Sequence, residues 1–239
     1  MKKIAIFTEG QSEQIFVRHF LTLVFGWENI SFECFKLYRD RMDPVPFKHP
    51  NENAEIYFLI LNIGNDEKVL TAVKEREKGL IQKGYEKIIS LRDMYSQEYS
   101  KRSGRVIDEN VTREFIDGAN IVIRSMSDPS KIKMHFAIME LEAWFLGMYN
   151  IFERVKPELN IAYIEEELGF NLVVIDPQTE FFKPANEVDK IFKLVGLQYQ
   201  KTEHEVESLC SEMNTNDFSN ALENGRCISF KDFYDGILN

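Results

Sequence analysis

Little in this chain of 239 residues points toward disulfides, structural zinc or secretion. Its three cysteines, Cys34, Cys210 and Cys227, stand far apart and form neither a Cys-x-x-Cys pair nor a zinc spacing. An odd number of isolated cysteines suits a reducing compartment. The apolar run between Met1-Lys2-Lys3 and Glu9 is too short for a signal-peptide core, and no window reaches transmembrane length. A cytoplasmic protein without a membrane partner is expected. Glycine-rich phosphate loops are missing as well. Neither a P-loop nor Gly-x-Gly-x-x-Gly occurs, so no nucleotide cofactor is indicated. Positive charge is scarce, with 29 Lys and Arg against 39 Asp and Glu and a formal net charge of −10. Such a chain gains no general attraction to a polyphosphate backbone. Any nucleic-acid binding must be local, through a metal or a small basic patch.

What is present suits a folded globular protein, with 44% hydrophobic and 28% charged residues. Residues 3–7 are a short apolar run and read as a buried first strand. Phe16, Phe20, Leu23 and Val24 then recur at helical spacing, predicting a helix over 12–25 that Gly26 ends. Residues 31–38 alternate as a strand does. Residues 39–53 carry Pro44, Pro46 and Pro50 and are expected to be a loop. Residues 56–63 read as a central strand. Asn65 and Asp66 are expected to cap a helix reaching to about Lys83, with Val69, Ala72 and Val73 on its inner face. A strand over 87–91, a polar stretch over 96–105, a helix over 111–126 and a strand over 133–139 follow. Residues 140–148 begin another helix. Strands alternating with helices predict an α/β fold with a mainly parallel sheet and helices on both faces. Beyond about Asn150 the pattern becomes mostly helical, broken at Pro157, Pro177 and Pro184. Thr202 and Glu205 form a capping box there, ahead of an apolar stripe of Val206, Leu209 and Met213. The expected organisation is an α/β domain over 1–150 and a helical C-terminal part over 151–239 packed on it.

In open α/β sheets, sites form at the carboxyl ends of strands. Three predicted strand ends carry acids: Glu9, Asp93, and the pair Glu140 and Glu142. Carboxylates converging at one sheet edge repel each other unless a cation joins them. Mg²⁺ prefers a few carboxylates together with waters and substrate phosphates. Each acid also has a plainer role. A Glu just ahead of a helix complements the helix dipole, and an Asp after a strand forms turns. On a helix, residues two apart diverge, so one of Glu140 and Glu142 is expected in solvent. Gly10 suits a strand-to-helix turn that needs positive φ or close backbone approach, and the helix N-terminus behind it favours an anion.

The segment Ile4-Ala5-Ile6-Phe7-Thr8-Glu9-Gly10, followed by Ser12-Glu13, resembles the first motif of Toprim domains. These are the catalytic domains of topoisomerases, bacterial primases and OLD-type nucleases. More narrowly, the chain resembles a bacterial family of Toprim-like proteins encoded beside AAA or ABC-type ATPases. Glu140-Leu141-Glu142-Ala143-Trp144-Phe145-Leu146, Tyr199-Gln200-Lys201-Thr202-Glu203-His204 and Ser229-Phe230-Lys231-Asp232-Phe233 share that likeness. The resemblance implies a Toprim-like, Rossmann-like sheet and a Mg²⁺- or Mn²⁺-dependent nuclease. It further implies bacterial defence, an ATPase partner and DNA rather than RNA. Glu9 and Asp93 would be metal ligands or general base, Glu142 a supporting acid, and Glu140 a further ligand. The family's second motif is Asp-x-Asp. Here Asp93 matches its first acid, but Tyr95 stands where the second belongs. Glu98, Glu140 or Glu142 can replace the missing ligand; equally, metal catalysis is weak or lost. The alternative is then a catalytically silent module that binds or regulates the ATPase.

Lys101, Arg102 and Arg105 follow Asp93 and are candidate phosphate contacts, although a solvated loop explains them as well. Lys201 and His204 begin the capped helix; they can approach the same cleft, although a surface role is the plainer expectation. His19 and His135 show no partner spacing. Trp144 and Phe145 are expected in the core rather than on a base-stacking platform.

Overall fold

The computed structural model describes residues 1–38, 41–64 and 68–239. The expected cap at Asn65 and Asp66, and the Arg39-Asp40 start of the expected loop, lie outside them. The chain divides into two compact units. One comprises Met1–Arg92, Arg113–Phe136 and Gly236–Asn239; the other comprises Asp93–Thr112 and Ala137–Asp235.

The first unit is the α/β part. Its sheet has the order β3-β2-β4-β1-β5-β6. The strands are β1 (Lys2–Thr8), β2 (Ile30–Tyr38), β3 (Arg41–His49), β4 (Ile56–Asn62), β5 (Lys87–Asp93) and β6 (Ile132–Ala137). β1 pairs in parallel with β4 and β5, and β2 in parallel with β4. The helices that connect these strands include α1 (Gln11–Phe25) and α2 (Val69–Gln82). Side chains alternate across a strand, and the central strands are apolar on both faces. Ala5, Phe7, Leu59, Leu61 and Ile88 pack with Val69, Ala72 and Val73 of α2. The intervening Phe58 meets Phe25 of α1, their ring centroids 5.6 Å apart. Helices therefore cover both faces, as the near-continuous apolar strands require. Gly26 ends α1 at φ 80°, a conformation that costs glycine little, and its N–H donates to the Thr22 carbonyl.

Two local expectations are corrected here. Residues 41–49 are not a loop but strand β3, antiparallel to β2. The strand tolerates Pro44 and Pro46 because it is the sheet's edge, where one row of backbone groups needs no ladder partner. Its register with β2 shifts between Glu33 and Phe35, opposite the stretch holding Pro46. Gly10 does not adopt positive φ; it is extended, at φ −139°. What approaches closely is Glu13, whose carboxylate accepts the Gly10 N–H at 2.7 Å, so the first turn of α1 carries its own anion.

The second unit is mostly helical. It contains α3 (Gln97–Arg102), the start of α4 (Glu109–Arg124), and α5 (Glu142–Gly147). The helices Asn150–Val155, Ile161–Leu168, Pro177–Glu180, Pro184–Lys193, Glu203–Ser211 and Thr215–Leu222 follow, with most of Ile228–Leu238. Pro177 and Pro184 each open a helix, where a missing N–H costs nothing. Trp144 and Phe145 are fully buried. The Trp144 indole N–H donates to Ser229 Oγ at 2.9 Å, and its ring meets Phe230 and Phe233. Val206, Leu209 and Met213 are buried as one stripe below the Thr202–Glu205 capping box. The stretch expected to be a solvated loop contains helix α3, capped by Ser96, whose hydroxyl accepts the Tyr99 N–H. Tyr99 anchors it, fully buried, with its hydroxyl 2.9 Å from Thr112 Oγ1. Among the described residues no helix is long and apolar enough to cross a membrane.

Candidate functional site

Within the second unit, Asp93, Glu140 and Glu142 converge. Each offers a carboxylate oxygen, and the three oxygens lie within 4.8 Å of one another. Asp93 is the last residue of β5. Its Oδ1 accepts the Leu141 N–H at 2.8 Å, which ties that strand end to the segment carrying the other two acids. The following backbone is held alongside, with the N–H groups of Met94 and Tyr95 donating to the carbonyls of Ala137 and Met139.

Glu140 and Glu142 both face the cluster, contrary to the expectation that one of them turns to solvent. Their side chains are only 12% and 0% exposed. The helical divergence rule does not apply, because Glu140 precedes α5 and only Glu142 belongs to it. Glu140 Oε2 accepts the Ala185 N–H at 3.0 Å, in the first turn of the helix Pro184–Lys193. That helix end is where a carboxylate gains from the dipole. Glu142 Oε1 accepts the Tyr199 hydroxyl at 2.8 Å.

The group also contains a cation that sequence reasoning put on the surface. Lys201 Nζ lies 2.9 Å from Glu142 Oε2, 3.1 Å from Glu140 Oε1 and 4.0 Å from Asp93 Oδ2. Lys201 has positive φ, 56°, just ahead of the Thr202 cap. Burial works against its charge, but Glu142, Asp93 and Glu140 outweigh that cost and hold its pKa above the ordinary lysine value. The Tyr199 hydroxyl is pushed well above the usual tyrosine range, first by burial and then by the charge of Glu142, so it remains a donor. The sequence signal at Lys201 was its place beside the capping box, which allowed an approach to the cleft but did not aim the side chain inward.

The other expected site residues fall as follows. Glu9 belongs to the first unit, directly after β1, where its N–H donates to the Leu91 carbonyl at 3.0 Å. It is not a member of the three-carboxylate group. Tyr95, at the position where Asp-x-Asp needs its second acid, packs edge-on against Phe182, with Lys183 Nζ 5.5 Å from its ring centroid. Glu98 lies in the first turn of α3. Lys101 and Arg105 line a cleft together with Tyr95, Phe182 and Lys183; Arg102 does not line it. Lys183 was not singled out by sequence reasoning. The buried His135 belongs to the first unit, packed on Gly236.

Chemically, three hard oxygen donors around one point suit a small divalent cation. The donor set is not specific to one metal, and the Lys201 ammonium already lies among the same oxygens. Lys201 would have to move aside for a metal; its side chain is 32% exposed, so a path toward solvent exists.

No protein-family model, curated protein or solved structure matches the chain.

Proposed function

We propose that this protein is a Mg²⁺- or Mn²⁺-dependent phosphodiesterase of the nuclease type. Asp93, Glu140 and Glu142 would hold the metal. The observation that carries the reading is the convergence of these three carboxylates within 4.8 Å, with Asp93 opening the stretch whose Tyr95, Lys101 and Arg105 line a cleft together with Lys183. A bound divalent cation polarises a phosphoryl oxygen and lowers the pKa of water. The chain's own part is to orient the acids. Leu141 fixes Asp93, the Ala185 N–H fixes Glu140, and the Tyr199 hydroxyl fixes Glu142. Lys201 balances their charge in the absence of metal. Glu9 enters this reading through its strand-end position and the Toprim resemblance, and the ATPase partner, the defence setting and the preference for DNA through the resemblance alone.

A second reading, a silent module that regulates a partner ATPase, is favoured by two observations. The site already has a resident cation in Lys201, and Tyr95 supplies no acid. Calorimetric titration with Mn²⁺ decides between the two, alongside cleavage assays on single-stranded and supercoiled DNA and on RNA. The enzyme reading expects metal binding to the unmodified protein, its loss in Asp93→Asn and Glu142→Gln, and cleavage that disappears with it. Metal binding seen only after Lys201→Met, with no cleavage by the unmodified chain, supports the silent module. Cleavage that persists in an Asp93→Asn, Glu142→Gln double variant sinks the assigned site. Glu9→Gln, assayed in parallel, tests the ligand that the resemblance supplies.

A further inference from the structure

The cleft beside the acid cluster has a character of its own. It is a half-open cleft of about 510 Å³, within the range of small-molecule sites. Lys101, Arg105 and Lys183 line it, and among the described residues no acidic one does, in a chain whose formal net charge is −10. Like charges gathered around one concavity repel each other, and an anion placed between them relieves that repulsion. Gln97 and Ser100 add neutral hydrogen-bonding groups. The remaining lining is aromatic. Tyr95 and Phe182 meet edge-on, ring centroids 5.6 Å apart, and both are partly exposed. Cations that hold phosphate, set beside rings on which a base can stack, are the two parts of nucleotide recognition without sequence readout.

We propose that this cleft binds one nucleotide unit, its phosphate on Lys101, Arg105 and Lys183 and its base against Tyr95 and Phe182. A volume of about 510 Å³ is on the scale of one nucleotide unit. The same chemistry is offered by a free nucleoside monophosphate and by the phosphorylated end of a single strand. The proposal goes beyond the phosphodiesterase reading and does not rest on it, because none of the contacts requires a metal.

The test uses the full-length protein in EDTA-containing buffer, titrated calorimetrically with adenosine 5′-monophosphate. Inorganic phosphate and adenosine serve as the separate halves, and a short 5′-phosphorylated single strand as the second source. The monophosphate is expected to bind more tightly than either half. Lys183→Gln and Arg105→Gln are each expected to weaken it about tenfold, the cost of one charge-assisted contact. Both side chains are exposed, so these variants keep the fold, which circular dichroism verifies. Tyr95→Leu is expected to lower monophosphate affinity to that of phosphate. Tighter binding of the strand identifies a strand end as the occupant; tighter binding of the monophosphate identifies the free nucleotide. The idea is overturned if neither binds at millimolar concentration, or if the Lys183→Gln, Arg105→Gln double variant binds like the unmodified protein. Metal is absent throughout, so nucleotide binding here is read separately from the Mn²⁺ binding and cleavage assays above: binding here with no cleavage in those assays leaves this cleft standing while the phosphodiesterase reading fails.

Discussion

Lys201 places its ammonium 2.9 Å from Glu142 Oε2, although the glutamate side chain is wholly buried and the lysine lies almost sixty residues further along the chain. This pair makes the acid cluster tolerable without a metal. Three carboxylates within 4.8 Å would otherwise repel one another in a region from which water is largely excluded.

Replacing Lys201 by Met should therefore destabilise the metal-free protein by about 2–3 kcal/mol, somewhat below the usual cost of breaking a buried pair because the lysine is partly exposed. Mn²⁺ should restore most of that loss by binding the folded state. Thermal unfolding with and without Mn²⁺ checks this. A variant as stable as the parent in EDTA would show that the ion pair does not carry the cluster.

Tyr199 gives Glu142 Oε1 its hydroxyl donor at 2.8 Å. Removing only that hydroxyl, in Tyr199→Phe, leaves a buried carboxylate oxygen unsatisfied and should cost about 1–3 kcal/mol. In a titration it should also weaken Mn²⁺ binding, because one oxygen of Glu142 is then free to turn away. Urea denaturation gives the first number and calorimetry the second; unchanged values in both would make Tyr199 mere packing.

His135 provides a pH prediction in the first unit. Its pKa is pushed down to about 4, first by burial and then by the neighbouring charge of Lys133. Near neutral pH the ring is uncharged in both folded and unfolded chains. As pH falls below the unfolded value of about 6.5, the unfolded chain takes up a proton that the folded one refuses. Stability should fall by up to about 3 kcal/mol between pH 6.5 and 4, and no further below that on account of this residue. The slope should be shallower in His135→Leu. Equal slopes in the two proteins would mean that other groups govern the acid limb.

The three cysteines should be silent toward thiol reagents in the native state. All are free and buried. Burial pushes the Cys34 thiol up to about 12, and also raises Cys227 above the usual range; the thiolate is the reactive form. An absorbance assay with a disulfide reagent should find no fast-reacting thiol until denaturant is added, and three afterwards. Rapid labelling of Cys34 without denaturant would contradict its place in the core.

The sequence alone determined the alternation of strands and helices, because burial on both faces of a parallel sheet demands apolar runs such as residues 56–63, and amphipathic helices demand stripes such as Val69, Ala72 and Val73. It also determined the ends that local chemistry sets, including Gly26 after the first helix and the Thr202–Glu205 capping box. Its errors came where a partner decides. Pro44 and Pro46 break an inner strand but not an edge strand, and edge position is a property of the sheet. Glu140 and Glu142 diverge on a helix but converge when the helix begins between them. For the candidate site, the sequence supplied Asp93 and the two glutamates as strand-end acids. Only tertiary structure brought Lys201 among them and set Lys183 beside Lys101, Arg105 and Tyr95. Charges act through space over a few ångströms, whereas these residues are separated by up to about a hundred along the chain. No local pattern encodes such a meeting, since the folded path between them is fixed by the packing of the intervening helices.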